Sequence, residues 1–222
     1  MLIDLIFGRN CLICNSFIKN RYYPSWICKD CYKKIFFIKK IYCKRCGSPF
    51  HSKCLCGLLN KEISTVRSLF IYDDVGKELI HKWKYSGYFF IAELFKKKIL
   101  NYDFSKFDGI MAVPLSLYKM VKRGFNQALI ISKFISEHFK IKNFSNLISR
   151  KYSKPQMEID DYILRRENVK GIFKLKNLPE CDKLLIVDDI ITSCSTVNEI
   201  TNLLKKSGFQ GEISIFTISM AL

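Results

Sequence analysis

Residues Leu184–Val187 are apolar at every position, and the residues after them narrow the fold: Asp188 and Asp189, two isoleucines, Thr192-Ser-Cys-Ser-Thr196, then apolar residues at helical spacing, Val197, Ile200, Leu203 and Leu204. A short strand that is apolar on both faces belongs in a parallel sheet covered by helices. The acid pair then falls at the carboxyl end of the strand, the edge at which open α/β sheets bind ligands. Two adjacent carboxylates there can accept hydrogen bonds from vicinal hydroxyls or hold a divalent cation. The hydroxyls of Thr192, Ser193, Ser195 and Thr196 and the backbone N–H groups around Cys194 stand just ahead of a helix, where an anion is favoured. The plainer reading of the same residues is a buried strand, a solvated acid pair and a Ser/Thr helix cap.

A ribose with two free hydroxyls and a 5-phosphate matches this order of groups. The segment Lys183–Thr196 resembles the signature of the type I phosphoribosyltransferases, which bind phosphoribosyl pyrophosphate (PRPP). The resemblance implies that Asp188 and Asp189 take the ribose hydroxyls, with Mg2+ accompanying the ligand, and that Thr192, Ser193, Cys194, Ser195 and Thr196 take the 5-phosphate. Two positions depart from the pattern. Gly usually stands where this chain has Cys194, because Gly tolerates a positive φ and lets phosphate approach the backbone. With no obvious base beside it, Cys194 reads as a small buried thiol. In the 6-oxopurine enzymes a third carboxylate follows the second acid by three residues, and here that position is Thr192. The catalytic group is therefore unknown, and Asp189 is the candidate if its like-charged neighbour raises its pKa. Positioning and charge alone can also stabilise a departing pyrophosphate.

Eight of the ten cysteines lie between residues 11 and 56, as Cys11-x-x-Cys14, Cys28-x-x-Cys31, Cys43-x-x-Cys46 and Cys54-x-Cys56. A two-residue gap turns two thiolates toward one ion, and four thiolates close a tetrahedral structural zinc site. Eight ligands fill two ions. Sequential ligation, with the first four cysteines in one site and the last four in the other, is the simplest pairing, with a cross-braced arrangement as the alternative. His51 reads as a surface residue. A disulfide framework is disfavoured by the start of the chain, which lacks a secretory layout and points to a reducing, cytoplasmic compartment. Metal binding would supply folding energy that a segment of about 60 residues cannot draw from its own core.

The formal net charge is +17, from 37 Lys and Arg against 20 Asp and Glu. Residues 1–60 are the densest part, with 11 Lys and Arg against Asp4 and Asp30. Two Zn(Cys)4 centres would bring the total to about +13, still basic. Such a field attracts nucleic acid, an anionic membrane face or phosphorylated metabolites, or simply keeps the protein soluble. In the amino-terminal segment Phe17, Tyr22, Tyr23, Trp26 and Phe36 interleave with Arg21, Lys29, Lys33, Lys34, Lys39 and Lys40. That mixture suits single-stranded nucleic acid, and equally the packing of a small zinc module with a solvated rim. No apolar run approaches the length of a membrane span.

From about residue 61 strand and helix signals alternate. Strands are predicted at Val66–Tyr72, Asp108–Val113, Asn146–Ser149, Gly171–Leu175, Leu184–Val187 and Ile213–Met220. Helices are predicted at Gly76–Lys84, Tyr88–Leu100 and Asn126–Phe139, with a last one ending at Ser207-Gly208. The expectation is an α/β domain at 61–222, a mostly parallel sheet flanked by helices, behind a zinc module at 1–60. After Ala112-Val-Pro-Leu-Ser116, the cations Lys119 and Arg123 suit a pyrophosphate.

The Cys-x-x-Cys module, Lys82-Trp-Lys-Tyr85, Val113-Pro-Leu115, Arg123-Gly-Phe-Asn-Gln127, Arg150 with Gln156, Arg165-Arg-Glu-Asn-Val-Lys-Gly-Ile-Phe173 and Val187-Asp-Asp-Ile-Ile-Thr-Ser193 together resemble the ComF (ComFC) family of competence proteins. The resemblance covers nearly the whole chain. It implies a double zinc ribbon-like module joined to a type I phosphoribosyltransferase-like domain, and work on DNA taken up in natural transformation. Single-stranded DNA and other competence or DNA-processing proteins are the implied partners, reached in the cytosol or at the inner face of the membrane. The readings are a PRPP-binding competence factor, an active phosphoribosyltransferase with an unidentified base or amine as acceptor, and a non-enzymatic DNA-binding scaffold.

Overall fold

In the computed structural model, which describes residues 9–18, 26–85, 91–151 and 169–222, the apolar run at Leu184–Val187 lies at the centre of a parallel sheet. The first elements among the described residues are a hairpin of two-residue strands, β1 (Arg9–Asn10) and β2 (Phe17–Ile18), and a short helix, α1 (Lys29–Lys34). Then come β3 (Ile63–Ile71), α2 (Asp74–Tyr85), α3 (Ile91–Ile99), β4 (Gly109–Ala112), α4 (Leu117–Arg123), α5 (Gln127–Phe139) and β5 (Lys142–Asn143). After β6 (Ile148–Arg150) and β7 (Phe173–Leu175), the chain ends in β8 (Lys183–Ile191), α6 (Ser195–Lys206) and β9 (Glu212–Met220). The sheet order is β3-β9-β8-β4-β5, with every pairing parallel. β6 and β7 pair antiparallel with each other, apart from that sheet.

The expected alternation is present, with shifted ends. β8 runs beyond its apolar segment to Ile191 because β9 continues to pair with it, Asp188 opposite Thr217 and Ile190 opposite Ser219. β4 stops at Ala112, opposite Val187, just before Pro114 removes a donor. The strand expected at Asn146–Ser149 starts at Ile148 instead, after a 3-10 turn at Ser145–Leu147. The edge strand β5 is too short to show periodicity. The helix expected from Tyr88 is described from Ile91; the Ser86-Gly87 break before it, like Arg21, Tyr22, Tyr23, Gln156 and residues 165–168, lies outside the described residues.

Alternation along the central strands feeds two cores. Leu185 and Val187 pack with Ile110, Phe216, Trp83, Phe95 and Ile131 on the face covered by α2, α3 and α5. Leu184 and Ile186 pack with Met111, Ile215, Val197, Ile200 and Leu204 on the face covered by α6. Each such side chain contributes about 1.5–3 kcal/mol on burial. The cysteine-rich segment splits between the two cores. Cys11, Ile27, Cys31 and Ile35 join the first, whereas Cys46, Leu55 and Leu59 join the second.

Backbone hydrogen bonds bind the same segment to edge strand β3. Ile38 N–H donates to the Leu69 carbonyl at 3.0 Å, Ile71 N–H to Phe36 at 3.0 Å and Val66 N–H to Arg45 at 2.7 Å. Gly47 lies beside this last contact with φ +72°, and a Cβ there would fall on the Val66 carbonyl oxygen. Gly47→Ala combines left-handed strain with a backbone clash, so we expect it to destabilise the zinc-loaded protein by about 2–4 kcal/mol. Urea unfolding monitored by circular dichroism measures this; an unchanged midpoint would contradict the docking.

Candidate functional site

The cysteines form two groups of four: Cys11, Cys14, Cys28 and Cys31, and Cys43, Cys46, Cys54 and Cys56, with the sulfurs of each group within 4.8 Å of one another. Four thiolates at about 2.3 Å from one ion stand about 3.8 Å apart. The Sγ separations fit: Cys14 to Cys28 is 3.7 Å, Cys43 to Cys56 is 3.5 Å, Cys46 to Cys54 is 3.4 Å and Cys43 to Cys54 is 3.7 Å. All eight are free thiols, and the pairing is the sequential one.

Backbone N–H groups point at the sulfurs, Cys28 N and Ile13 N at Cys11 Sγ, Cys31 N at Cys28 Sγ and Cys46 N at Cys43 Sγ. The hydrogen bond from Cys46 lowers the Cys43 thiol to about 6 and those from Ser16 lower Cys14 to about 6, whereas burial raises the thiols of Cys31, Cys46 and Cys56. His51 is exposed against Tyr42 and lies outside both groups.

The acid pair stands where β8 has outrun β4. Successive side chains of a strand point to opposite faces, so Asp189 follows Leu185 and Val187 while Asp188 follows Leu184 and Ile186. On the α2 face, Asp189 Oδ2 pairs with Lys84 Nζ at 2.7 Å and lies 3.9 Å from Arg123 Nη1. On the α6 face, Asp188 lines a small pocket with Thr192, Ser193, Cys194, Ser195 and Thr196. Asp188 Oδ1 also accepts the Asp189 N–H at 2.8 Å. Burial, then the charge of Asp189, push the Asp188 carboxyl up to about 8.

The hydroxyl-rich turn enters α6 through Cys194, which is buried at φ 58° and ψ −1° and gives no side-chain cap to the helix. The left-handed backbone is the conformation that Gly would adopt without strain. Ser193 Oγ and Ser195 Oγ are 2.9 Å apart. The first turn of α6 carries no acidic residue.

Around the acids the chain gathers cations from three elements: Lys84 from α2, Lys119 and Arg123 from α4, and Arg150 from β6. The Ser116 hydroxyl caps α4, accepting from Lys119 N–H at 3.3 Å, and Gly124 ends it at φ 77°. Arg123 donates from Nη2 to Tyr85 Oη at 3.1 Å and lies over that ring at 5.0 Å. Its Nε and that of Arg150 are buried and have no hydrogen-bond acceptor among the described residues. Loss of water, then the nearby charges of Arg123, Arg150 and Lys84, lower the pKa of Lys119 although the residue remains exposed overall. Beside Lys84 a wider open groove is lined by Tyr72, Ile80, His81, Tyr85 and Lys122.

Sequence reasoning alone did not place Lys84, Tyr85 or Arg150 in this cluster. The available signal was Lys82-Trp-Lys-Tyr85, because the fully buried Trp83 fixes the last turn of α2 and thereby aims its neighbours. The motif at Arg123–Gln127 is largely structural. Asn126 caps α5, accepting from Leu129 N–H, and donates to the Val113 carbonyl at 2.9 Å, while Gln127 is buried.

The raised Asp188 carboxyl has a sign that can be tested. It is near 3.9 in an unfolded chain, so between about pH 4 and pH 8 the folded protein holds a proton that the unfolded chain has lost, and stability falls as pH rises. Asp188→Asn keeps an acceptor for the Asp189 N–H and removes the charge. Scanning calorimetry of the zinc-loaded, ligand-free protein should show its melting temperature raised by about 2–4 °C at pH 8 and by less at pH 5.5. A fall at both values would contradict the assignment.

Residues 2–59 match the double zinc ribbon domain family, in agreement with the two cysteine groups. Over 213 residues the chain is 29% identical to competence protein F of Haemophilus influenzae, covering 88% of this chain and 90% of that one. It is 25% identical over 208 residues to competence protein ComFC of Bacillus subtilis, covering 86% and 83%. DNA utilization protein YhgH of Escherichia coli K12 is 29% identical over 181 residues, covering 76% and 80%. The chain is a homologue of the ComF (ComFC) competence proteins, with a double zinc ribbon at its amino end.

Proposed function

We propose that the sheet edge at Asp188 and Asp189 binds PRPP and that the protein serves DNA uptake in natural competence. The observation that carries the ligand reading is the surplus of buried cation around two carboxylates, with two guanidinium Nε–H groups that lack an acceptor among the described residues. Burying that charge is costly unless a polyanion answers it. In this reading Asp188 and Asp189 take the ribose hydroxyls, and the turn at Thr192, Ser193, Cys194, Ser195 and Thr196 takes the 5-phosphate. Lys119 and Arg123, joined by Lys84 and Arg150, take the pyrophosphate. Mg2+ would accompany the ligand and share its phosphate charge.

The names of the relatives, competence and DNA utilization proteins, support the cellular role. Single-stranded DNA is the proposed macromolecular partner, met in the cytosol, with other competence or DNA-processing proteins beside it. Net charge +17 and the exposed Phe17, Phe36 and Tyr42 of the ribbon segment support that reading. Residues 1–60 form the zinc module in this scheme, and 61–222 the phosphoribosyltransferase-like domain. Among the described residues no helix is long and apolar enough to cross a membrane.

A second reading is active transfer of ribose 5-phosphate to a base, favoured by the aromatic groove that shares Lys84 with the acid pair. For that chemistry Asp188, whose carboxyl is raised toward neutrality, is a group poised to exchange a proton, alongside Asp189, the candidate suggested by the sequence.

Calorimetric titration with PRPP and Mg2+, with and without a single-stranded oligonucleotide, tests the proposal. The wild type should bind one equivalent, and Asp188→Asn/Asp189→Asn should weaken binding by at least about ten-fold, each lost charge-assisted contact being worth about 1.5–3 kcal/mol. Equal, weak binding by both proteins would leave a DNA-binding scaffold without the ligand.

A further inference from the structure

The second cysteine group lies against the opposite end of the same site. Cys46, Leu55 and Leu59 share one buried cluster with Cys194, Val197 and Ile200, so this ribbon packs directly behind the hydroxyl-rich turn. Both sulfur-bearing residues at that contact are sealed from water, Cys46 at 0% and Cys194 at 3% exposure.

Asn198 makes the connection specific. Its backbone N–H donates to the Cys194 carbonyl at 2.9 Å, closing the first turn of α6. Its side chain reaches the other way: Oδ1 accepts the Asn60 N–H at 2.8 Å and Nδ2 donates to the Leu58 carbonyl at 2.7 Å. Asn60 Nδ2 adds a bond to Asn202 Oδ1 at 2.6 Å, one turn further along α6. Leu58 and Leu59 lie just after the ligand Cys56, in the turn that closes on the carbonyl of Leu55, itself between the ligands Cys54 and Cys56. Arg45, between Cys43 and Cys46, donates to the Asn60 carbonyl at 2.8 Å. One asparagine therefore joins the metal-ligand turn to the residue with the strained backbone in the anion-facing turn.

We propose that the second ribbon and the turn at residues 192–198 are one cooperative unit, in which metal held by Cys43, Cys46, Cys54 and Cys56 keeps the turn shaped for an anion and Asn198 is the positioning residue that couples the two. The proposal rests on the anion reading of that turn. A ligand bound to a floppy turn must first order it, so a turn ordered by the ribbon binds more tightly. Linkage makes the effect reciprocal: the anion must tighten this ribbon's equilibrium hold on its metal by the factor by which the metal tightens the anion. The first ribbon packs with the other core and serves as the internal control.

The test is a chelator challenge of the zinc-loaded full chain, followed over time by thiol alkylation and site-resolved mass spectrometry, with buffer, inorganic phosphate or PRPP present. In the wild type, PRPP or phosphate should slow alkylation of Cys43, Cys46, Cys54 and Cys56 by about five-fold or more, the low end of common coupling energies, and leave Cys11, Cys14, Cys28 and Cys31 unchanged. Asn198→Ala should lose that selective protection while retaining two zinc ions at the start. Protection by phosphate but not by PRPP supports the coupling and defeats the PRPP reading. PRPP binding measured in parallel with no selective protection of the second ribbon overturns the coupling alone, and no protection by either anion with no binding overturns both. Because the wild type carries the decisive comparison, poor folding of the variant leaves the proposal falsifiable.

Discussion

Leu184, Leu185, Ile186 and Val187 are each at most 2% exposed, and they alternate between two separate cores. That double burial fixes β8 between β4 and β9, and nearly everything else about the site depends on it. A strand locked on both faces cannot slip by one residue without exchanging its two sets of side chains. Its register therefore decides that Asp189 meets the cations of α2 and α4 while Asp188 opens into the turn before α6. The early end of β4 then leaves the acid pair without a strand partner on that side, while β9 still pairs with Asp188 on the other.

Several groups around the acid pair carry local costs. Burial raises the Asp188 carboxyl, cations crowd Lys119, and Cys194 holds a left-handed backbone with a side chain where Gly would be unstrained. Two guanidinium Nε–H groups face no acceptor among the described residues. Local costs of this kind gather where structure is shaped for a ligand. Stability is supplied elsewhere, by the two cores and by the ribbons that extend them. The zinc module is thus continuous with the sheet through β3 and α6, and its two halves serve different faces of the same domain.

How much of this was legible in the sequence depended on the distance over which each signal acts. The cysteine groups are local patterns: their spacing pointed to two four-thiolate sites, while the choice of sequential over cross-braced pairing needed the positions of the sulfurs. The β8 segment was equally legible because strand, acids, turn and helix succeed one another without interruption. Helix α4 gave no such signal: no residue in it is buried, and Leu117, Tyr118 and Val121 are exposed, so no amphipathic face marks it. Lys84 and Arg150 lie far apart in the chain and meet the acids only through tertiary packing. The contacts of Asn198 were hidden for the same reason, since its partners Leu58 and Asn60 lie about 140 residues away.

The central claim is that the cation cluster and the α6 turn receive opposite ends of one ribose-bearing polyanion. A crystal structure of the zinc-loaded protein with PRPP tests it most directly. The account predicts the 5-phosphate at the backbone N–H groups of residues 193–197, the ribose hydroxyls at Asp188 and Asp189, and the pyrophosphate among Lys84, Lys119, Arg123 and Arg150. At saturating ligand, PRPP bound elsewhere, or an unchanged Lys84–Asp189 pair with nothing beside it, would contradict the account.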